Sequence, residues 1–296
     1  MGRALILGAE GQDGYYLQSL LAEEGVDVVA TSRKNKEAYC DVSDAESVEE
    51  TIKQHKPSFV FHLAASSTTR HASWADQLAT IDAGTWNVME SVRLHCPDSK
   101  VFVTGSGLQF RNEGEPISEG DPFHAESPYG VARIASAYTA RYYRSLGLKT
   151  YIGYLFHHES PRRTSRHVSQ KIALAAADVS RGKLDRVEIG TLSVVKEWGY
   201  AADIVEGIWK LVNQEKIWEA TIGTGVGHSI GDWAKECFSY VGLDSADYLV
   251  EEKGFVPEYP FLVSNSSTIQ SLGWRPKTSL RKLAEIFMTA PDRKAN

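Results

Sequence analysis

Ser106, Tyr129 and Arg133 are the side chains of this 296-residue sequence whose types and spacing best suit them to chemistry. Ser106 ends an apolar run that starts at Lys100, and Tyr129 follows Ser127-Pro128 where a helical pattern begins. Arg133 lies four residues later and so shares a helix face with Tyr129. A phenol beside a fixed cation loses its proton more readily, because the opposite charge favours phenolate. With a serine hydroxyl next to it, such a tyrosine is a workable acid or base for a carbinol oxygen. Hydride on the same carbon would pass to or from a nicotinamide. The spacing also allows a plainer arrangement, in which Tyr129 packs a helix start and Arg133 is a solvated helix residue.

A nicotinamide needs a cradle for its pyrophosphate, and the first fourteen residues carry a pattern for one. The apolar run from Arg3 to Leu7 breaks into Gly8-Ala-Glu-Gly11-Gln-Asp-Gly14 and opens a helix near Tyr15. Glycines at a strand-to-helix turn let the backbone approach a phosphate, and the helix N-terminus supplies partial positive charge. The spacing is G-x-x-G-x-x-G rather than the commoner G-x-G-x-x-G, and a glycine turn can also serve packing alone.

The elements that must position these residues alternate. Strands are predicted over 3–7, 26–31, 58–65, 100–106 and 149–156, with 26–31 read as a buried strand. Helices are predicted up to residue 24 and over 44–55 (capped by Ser43 or Asp44), 82–94 and 129–146. Short apolar strands alternating with helices imply a doubly wound α/β fold, a parallel sheet with ligands outside its carboxyl ends. Further helices are expected at 167–181, 201–214, 229–241 and 280–288, with loops at 223–227 and 254–260. This divides the chain into a dinucleotide-binding domain (1–160, with a returning segment near 190–225) and a smaller substrate-binding lid region (161–190 and 226–296).

Composition narrows the class. The net charge of −6 gives no reason to expect nucleic acid or an anionic membrane as partner. Three widely spaced cysteines without a C-x-x-C pair read as reduced and mostly buried, which points to the cytoplasm. Neither a signal-peptide pattern nor a membrane-length apolar run is expected. His157, His158 and Glu159 adjoin but lack metal-site spacing, so no metal is expected. Arg162 and Arg163 can clamp a diphosphate or form a solvated basic turn. Lys196 and Glu197 can reach a substrate or pair with each other, and Tyr138, Tyr142 and Tyr143 can pack a core or an interface.

The glycine turn, "CDVSD", "HLAA", Ser106 and "SPYGVAR" together resemble the extended short-chain dehydrogenase/reductase superfamily, whose sheet is a Rossmann fold. Within it, "GAEGQDGYYL", "LFHHESPRR", "KEWGYAADIV" and "SLGWRPKTSLRKL" are most similar to the GDP-mannose 4,6-dehydratase family and its nucleotide-sugar relatives. The resemblance implies that Gly8, Gly11, Gln12, Asp13 and Gly14 hold the cofactor pyrophosphate and that Asp41 and Val42 meet its adenine. Leu63, Ala64, Ala65 and Leu155 would line the passage to the nicotinamide. Ser106 and Tyr129 would be the catalytic pair, and Arg133, with Tyr129, would also hold the cofactor. Ser66, His157, Glu159, Arg163, Lys171 and Lys196 would meet the substrate. The second strand ends Thr31-Ser32-Arg33-Lys34 with no acid, which favours NADP over NAD and gives Arg33 the 2′-phosphate. The same likeness implies a homodimer through the long helix.

Three positions depart from the family pattern. Arg133 replaces the usual lysine. Leu108 and Gln109 stand where the dehydratases carry the carboxylate that removes the sugar C5 proton. His157 replaces an asparagine, and no arginine aligns within "GFVPEYPFLV". These residues lead to an NADP-dependent oxidoreductase acting at C4 of a nucleotide-diphosphate sugar, most plausibly GDP-linked. The alternatives are 4,6-dehydration with a relocated base (Glu159 or Glu119), and a cofactor-binding sensor or partner subunit with degraded chemistry.

Overall fold

The computed structural model describes residues 2–66 and 68–290. Six parallel strands form the central sheet: β1 (Arg3–Leu7), β2 (Asp27–Thr31), β3 (Phe59–His62), β4 (Lys100–Ser106), β5 (Lys149–Leu155) and β6 (Glu219–Ile222). Their order is β6-β5-β4-β3-β1-β2, so the winding reverses between β1 and β3. A crevice opens at such a reversal, outside the carboxyl ends of the strands. In register, Leu7 stands beside Thr31 and His62, and Ser106 beside Leu155.

Alternating side chains on each strand feed opposite faces. Leu5, Leu7, Val60, Val101 and Val103 join one core with α2 (Ala45–His55), α3 (Gly84–His95) and α4 (Pro128–Ser145). Ala4, Ile6, Phe61 and Phe102 join the other with α1 (Gln12–Glu23) and α6 (Ala201–Val212). A third core unites α5 (Val168–Ser180), α7 (Ile230–Tyr240) and α8 (Leu280–Thr289) around Trp198 and Trp233, whose rings stack at 4.8 Å.

Local chemistry explains the helix starts. Asp44, rather than Ser43, caps α2 by accepting from the Glu46 amide. Ser127 caps α4 through the Gly130 amide, with Pro128 at the first helical position. Two expectations change. β2 is an edge strand and only half buried, since among the described residues β1 alone pairs with it. The helix expected at 82 is preceded by a wide π-helical segment, Leu78–Ala83.

β6 is fastened to α4 by charge. Glu219 accepts from Arg141 (2.7 Å), Arg144 (2.8 Å) and the Tyr154 hydroxyl (2.6 Å). Burial pushes its carboxyl up, but these donors outweigh burial and bring it down to about 2. A depressed carboxylate stabilises above its unfolded value of about 4.3 and loses that contribution as pH falls. Glu219→Gln is therefore expected to cost about 2–3 kcal/mol at pH 7, with the deficit shrinking towards pH 3. Urea midpoints at the two pH values measure this.

Candidate active site

Glycines at the end of β1 open the crevice. Gly8 adopts φ +91°, and a Cβ there would lie 2.7 Å from the Ala64 amide nitrogen. At Gly14 a Cβ would lie 2.7 Å from Ala9 Cα, so α1 packs against the turn at backbone distance. Gly11 starts α1 with no side-chain cap, which leaves the first-turn N–H groups to the crevice. Cavities of about 290 and 250 Å³ share Gly8, Gly11, Leu63 and Ala65 and so form one trough. Gln12, Asp13, Gly14 and Leu155 line its inner part, and Ser32, Arg33, Lys34, Val42 and Ala64 its outer part. A cradle that side chains would fill, continued by a groove lined by Arg33, Lys34 and one acid, Glu10, with Arg33 3.6 Å from Asp76, fits a dinucleotide with a phosphate on its ribose.

Ser106, Tyr129 and Arg133 all line the inner cavity. Arg133 is only 4% exposed, so it is not a solvated helix residue. Its Nη1 donates to the Thr104 carbonyl, and its guanidinium carbon lies 5.0 Å from the Tyr129 ring centroid. Behind it, His62 is buried and held neutral: burial first, and then the Arg133 charge, push its imidazole down to about 3. Arg133 is thus the fixed cation beside the phenol.

Ser106 does two things at once. Its Oγ accepts from the Leu108 amide (3.2 Å), while the Gln109 side-chain oxygen accepts from the Ser106 amide (2.8 Å). Gln109 is fully buried, and its Nε2 donates to the Arg133 carbonyl (3.5 Å). Gln109 therefore ties the serine turn to α4, a role the sequence reading did not assign. The Ser-x-x-Gln spacing of a capping box was its available signal. Leu108 lines the cavity wall.

Opposite lies the loop after β5. His157, His158 and Arg163 line the inner cavity. Lys196 donates to His157 Nε2. Burial, then the Lys196 and Arg163 charges, hold His157 well below the usual imidazole value, so it is the neutral acceptor of that bond. Burial also lowers Lys196, to about 8. Glu159 is fully buried, accepting from Arg163 (3.2 Å) and Ser169 (2.8 Å).

Several sequence candidates stand elsewhere. The Asp41 carboxylate accepts from the Ser43 amide and hydroxyl in a local turn, while its neighbour Val42 lines the trough. Ser66 is outside the cavity lining, its carbonyl facing the Gln77 amide. Lys171 is exposed, donates to the Glu188 carbonyl, and lies with Lys196 in an adjoining groove that shares Tyr259 with the main cavity. Glu159 does not line the cavity, and Glu119 is bound to Thr221 and Thr268. Glu197 does not reach a substrate either. It is fully buried, accepting from Gly225 (3.0 Å), Thr224 and both the amide and hydroxyl of Ser264 (2.6 Å each). Among the described residues, no group of three or more His, Cys, Asp or Glu side chains could hold a metal ion. No described helix is long and apolar enough to cross a membrane.

Comparison with known proteins places this geometry. The family model described as GDP-mannose 4,6 dehydratase matches residues 5–287. GDP-mannose 4,6 dehydratase 2 of Arabidopsis thaliana is 32% identical, over 96% of this chain and 85% of the relative. The GDP-mannose 4,6-dehydratase of Sinorhizobium fredii is 30% identical, over 95% and 94%. In fold, the chain is similar to RMD from Pseudomonas aeruginosa, solved with NADPH (TM-score 0.86, 17% identity, 97% and 98% covered). It is also similar to the UDP-glucose 4-epimerase of Thermus thermophilus, solved with NAD (TM-score 0.80, 23% identity, 97% and 99% covered). With a match across nearly its whole length and relatives of this likeness, the chain belongs to the GDP-mannose 4,6 dehydratase family.

Proposed function

We propose that this protein is an NADP-dependent oxidoreductase that transfers hydride at C4 of a nucleotide-diphosphate sugar, most plausibly GDP-linked. One observation carries the choice of reaction: among the described residues, the lining of the cavity beside Ser106 and Tyr129 has no free carboxylate. Asp13 is the one acid among its described lining residues, and it is paired with His158. Leu108 and the committed Gln109 occupy the positions after Ser106, and neither Glu119 nor Glu159 lines the wall. Removal of a proton from C5 therefore lacks the carboxylate that the dehydratase route uses, whereas redox at C4 needs only the proton that Tyr129 carries.

The glycine turn would hold the pyrophosphate, and Arg33 and Lys34 the 2′-phosphate. The nicotinamide supplies or accepts the hydride when bound. Tyr129 gives or takes the proton of the C4 oxygen. Ser106 accepts from Leu108 through its oxygen, which leaves its own hydrogen to orient that sugar oxygen. Arg163, Lys196 and neutral His157 would meet the diphosphate. The substrate-binding region would be 161–190 and 226–296, built on the third core. A homodimer would cover Trp86, Tyr138 and Tyr142, which are each at least half exposed on α3 and α4.

The names of the relatives favour a second reading, 4,6-dehydration of GDP-mannose. Incubation in D₂O with GDP-mannose and NADP, and separately with a GDP-4-keto-6-deoxyhexose and NADPH, separates the two. The expected result is NADPH consumption at 340 nm with the ketone and no deuterium at C5. Efficient conversion of GDP-mannose to the 4-keto-6-deoxy product, with solvent deuterium incorporated, would overturn the C4 reading.

A further inference from the structure

His158 stands between two atoms that can only accept. Its Nδ1 is 2.7 Å from the Phe156 carbonyl oxygen, and its Nε2 is 2.8 Å from Asp13 Oδ1. A neutral imidazole carries one N–H and can serve one of them; serving both requires the imidazolium. The pair joins residues 145 positions apart, the first turn of α1 and the loop after β5. Around it, Ser160 donates to the Gln12 side-chain oxygen (2.8 Å), and Arg163 donates to the His158 carbonyl (3.0 Å).

Asp13 occupies an awkward place for a phosphate site. It lies two residues after Gly11, where α1 turns its N–H groups to the crevice, and it lines the same cavity. A bare carboxylate there would repel the anion that the helix terminus attracts. We propose that His158 is a positioning residue: its imidazolium cancels the Asp13 charge at the start of α1, so that the glycine turn accepts a dinucleotide pyrophosphate, and it fastens that turn to the loop bearing His157 and Arg163. This rests on the reading that the turn holds a dinucleotide.

The surroundings agree with the charge state. Burial opposes it, but Asp13 keeps the His158 imidazole above its usual value. In return, against its own burial, the Asp13 carboxyl is drawn down to about 2. Arg163 faces the pair as an opposing cation, and His157 beside it is neutral. On the strand that pairs with His158–Glu159, burial holds the Tyr200 phenol well above its usual value and therefore uncharged. Glu159 is engaged by Arg163 and Ser169.

A merely structural link and a charge-cancelling one differ in a double mutant. NADPH dissociation constants are measured by titration calorimetry at pH 7 for the native protein, His158→Gln, Asp13→Asn and the double variant. His158→Gln, which leaves Asp13 as an unpaired anion, is expected to weaken NADPH about 10-fold or more. Adding Asp13→Asn should recover affinity to within about 3-fold of native. Unchanged affinity in His158→Gln, or a double variant no better than the single, would overturn the proposal. An independent reading uses the native protein without cofactor: nitrogen-15 NMR at pH 7 should show His158 protonated at both ring nitrogens, and a neutral ring sinks the proposal even if the variants do not fold. Absence of NADPH binding by native protein with His158 doubly protonated would instead remove the dinucleotide reading, and with it the role given to the pair.

Discussion

Replacing Tyr129 by phenylalanine is expected to lower kcat about 1,000-fold while NADPH affinity stays within about 3-fold of native. A positioned acid or base contributes roughly 100- to 10,000-fold, and this substitution removes the proton while keeping the ring. The ring is what packs: Tyr129 is nine-tenths buried, with Ile81 and Ala132 as core neighbours and the Arg133 guanidinium over its face. Phenylalanine preserves those contacts, including the attraction between cation and ring. The defect should therefore be in turnover and not in folding or cofactor binding. Steady-state kinetics beside NADPH calorimetry checks it. A native protein with a measurable rate that survives the change would exclude Tyr129 as the proton carrier. The same experiment decides the sensor reading, because a degraded cofactor-binding module has no rate to lose.

The largest effect on stability is expected at Glu197. Its fully buried carboxylate gathers the amides of Thr224, Gly225 and Ser264 and the Ser264 hydroxyl, the Ser264 donors buried and the Thr224 and Gly225 amides nearer the surface. Glu197→Ala leaves three amides without an acceptor, at about 1–3 kcal/mol for each one that water cannot reach, and the Ser264 hydroxyl with Ser266 Oγ at 2.7 Å as its remaining partner. A loss of about 4 kcal/mol or more would be a large part of the 5–15 kcal/mol that holds a typical domain together. The neighbouring chain is fitted to this carboxylate. A Cβ at Gly223 would lie 2.1 Å from Glu197 Oε2, so the glycine is part of the same device. Thermal and urea unfolding of Glu197→Ala, with Glu197→Gln beside it, measure the loss. Glutamine keeps one acceptor oxygen and should fall between native and alanine. A change below about 1 kcal/mol in the alanine variant would show that water replaces the carboxylate.

What could be read from the sequence was local. The turn from β1 into α1 is written in three glycines, and the start of α4 in Ser127 and Pro128. Ser106, Tyr129 and Arg133 come together because one ends a strand and the others begin a helix, positions that periodicity alone brackets. Relations between distant segments were not legible. Nothing near Asp13 announces a histidine 145 residues away, and nothing near Glu197 announces Ser264, 67 residues on. Lys196 and Glu197 are adjacent, yet one reaches His157 and the other the Gly223–Ser264 region. Alternation along a strand places their side chains on opposite sides, but it does not say what waits there. Edge position was equally hidden. β2 carries a buried strand's composition, and only the sheet order shows that one of its sides is open.

Leu108 has a chemical consequence for whatever occupies the cavity. A ketone at C4 renders the adjoining C–H bonds acidic, so a sugar held there stays exposed to enolisation as long as a base is within reach. Hydrocarbon on that wall would let a fragile carbonyl compound rest beside the phenol with its neighbouring stereocentre undisturbed. Fidelity of configuration would then arise from what the wall cannot abstract.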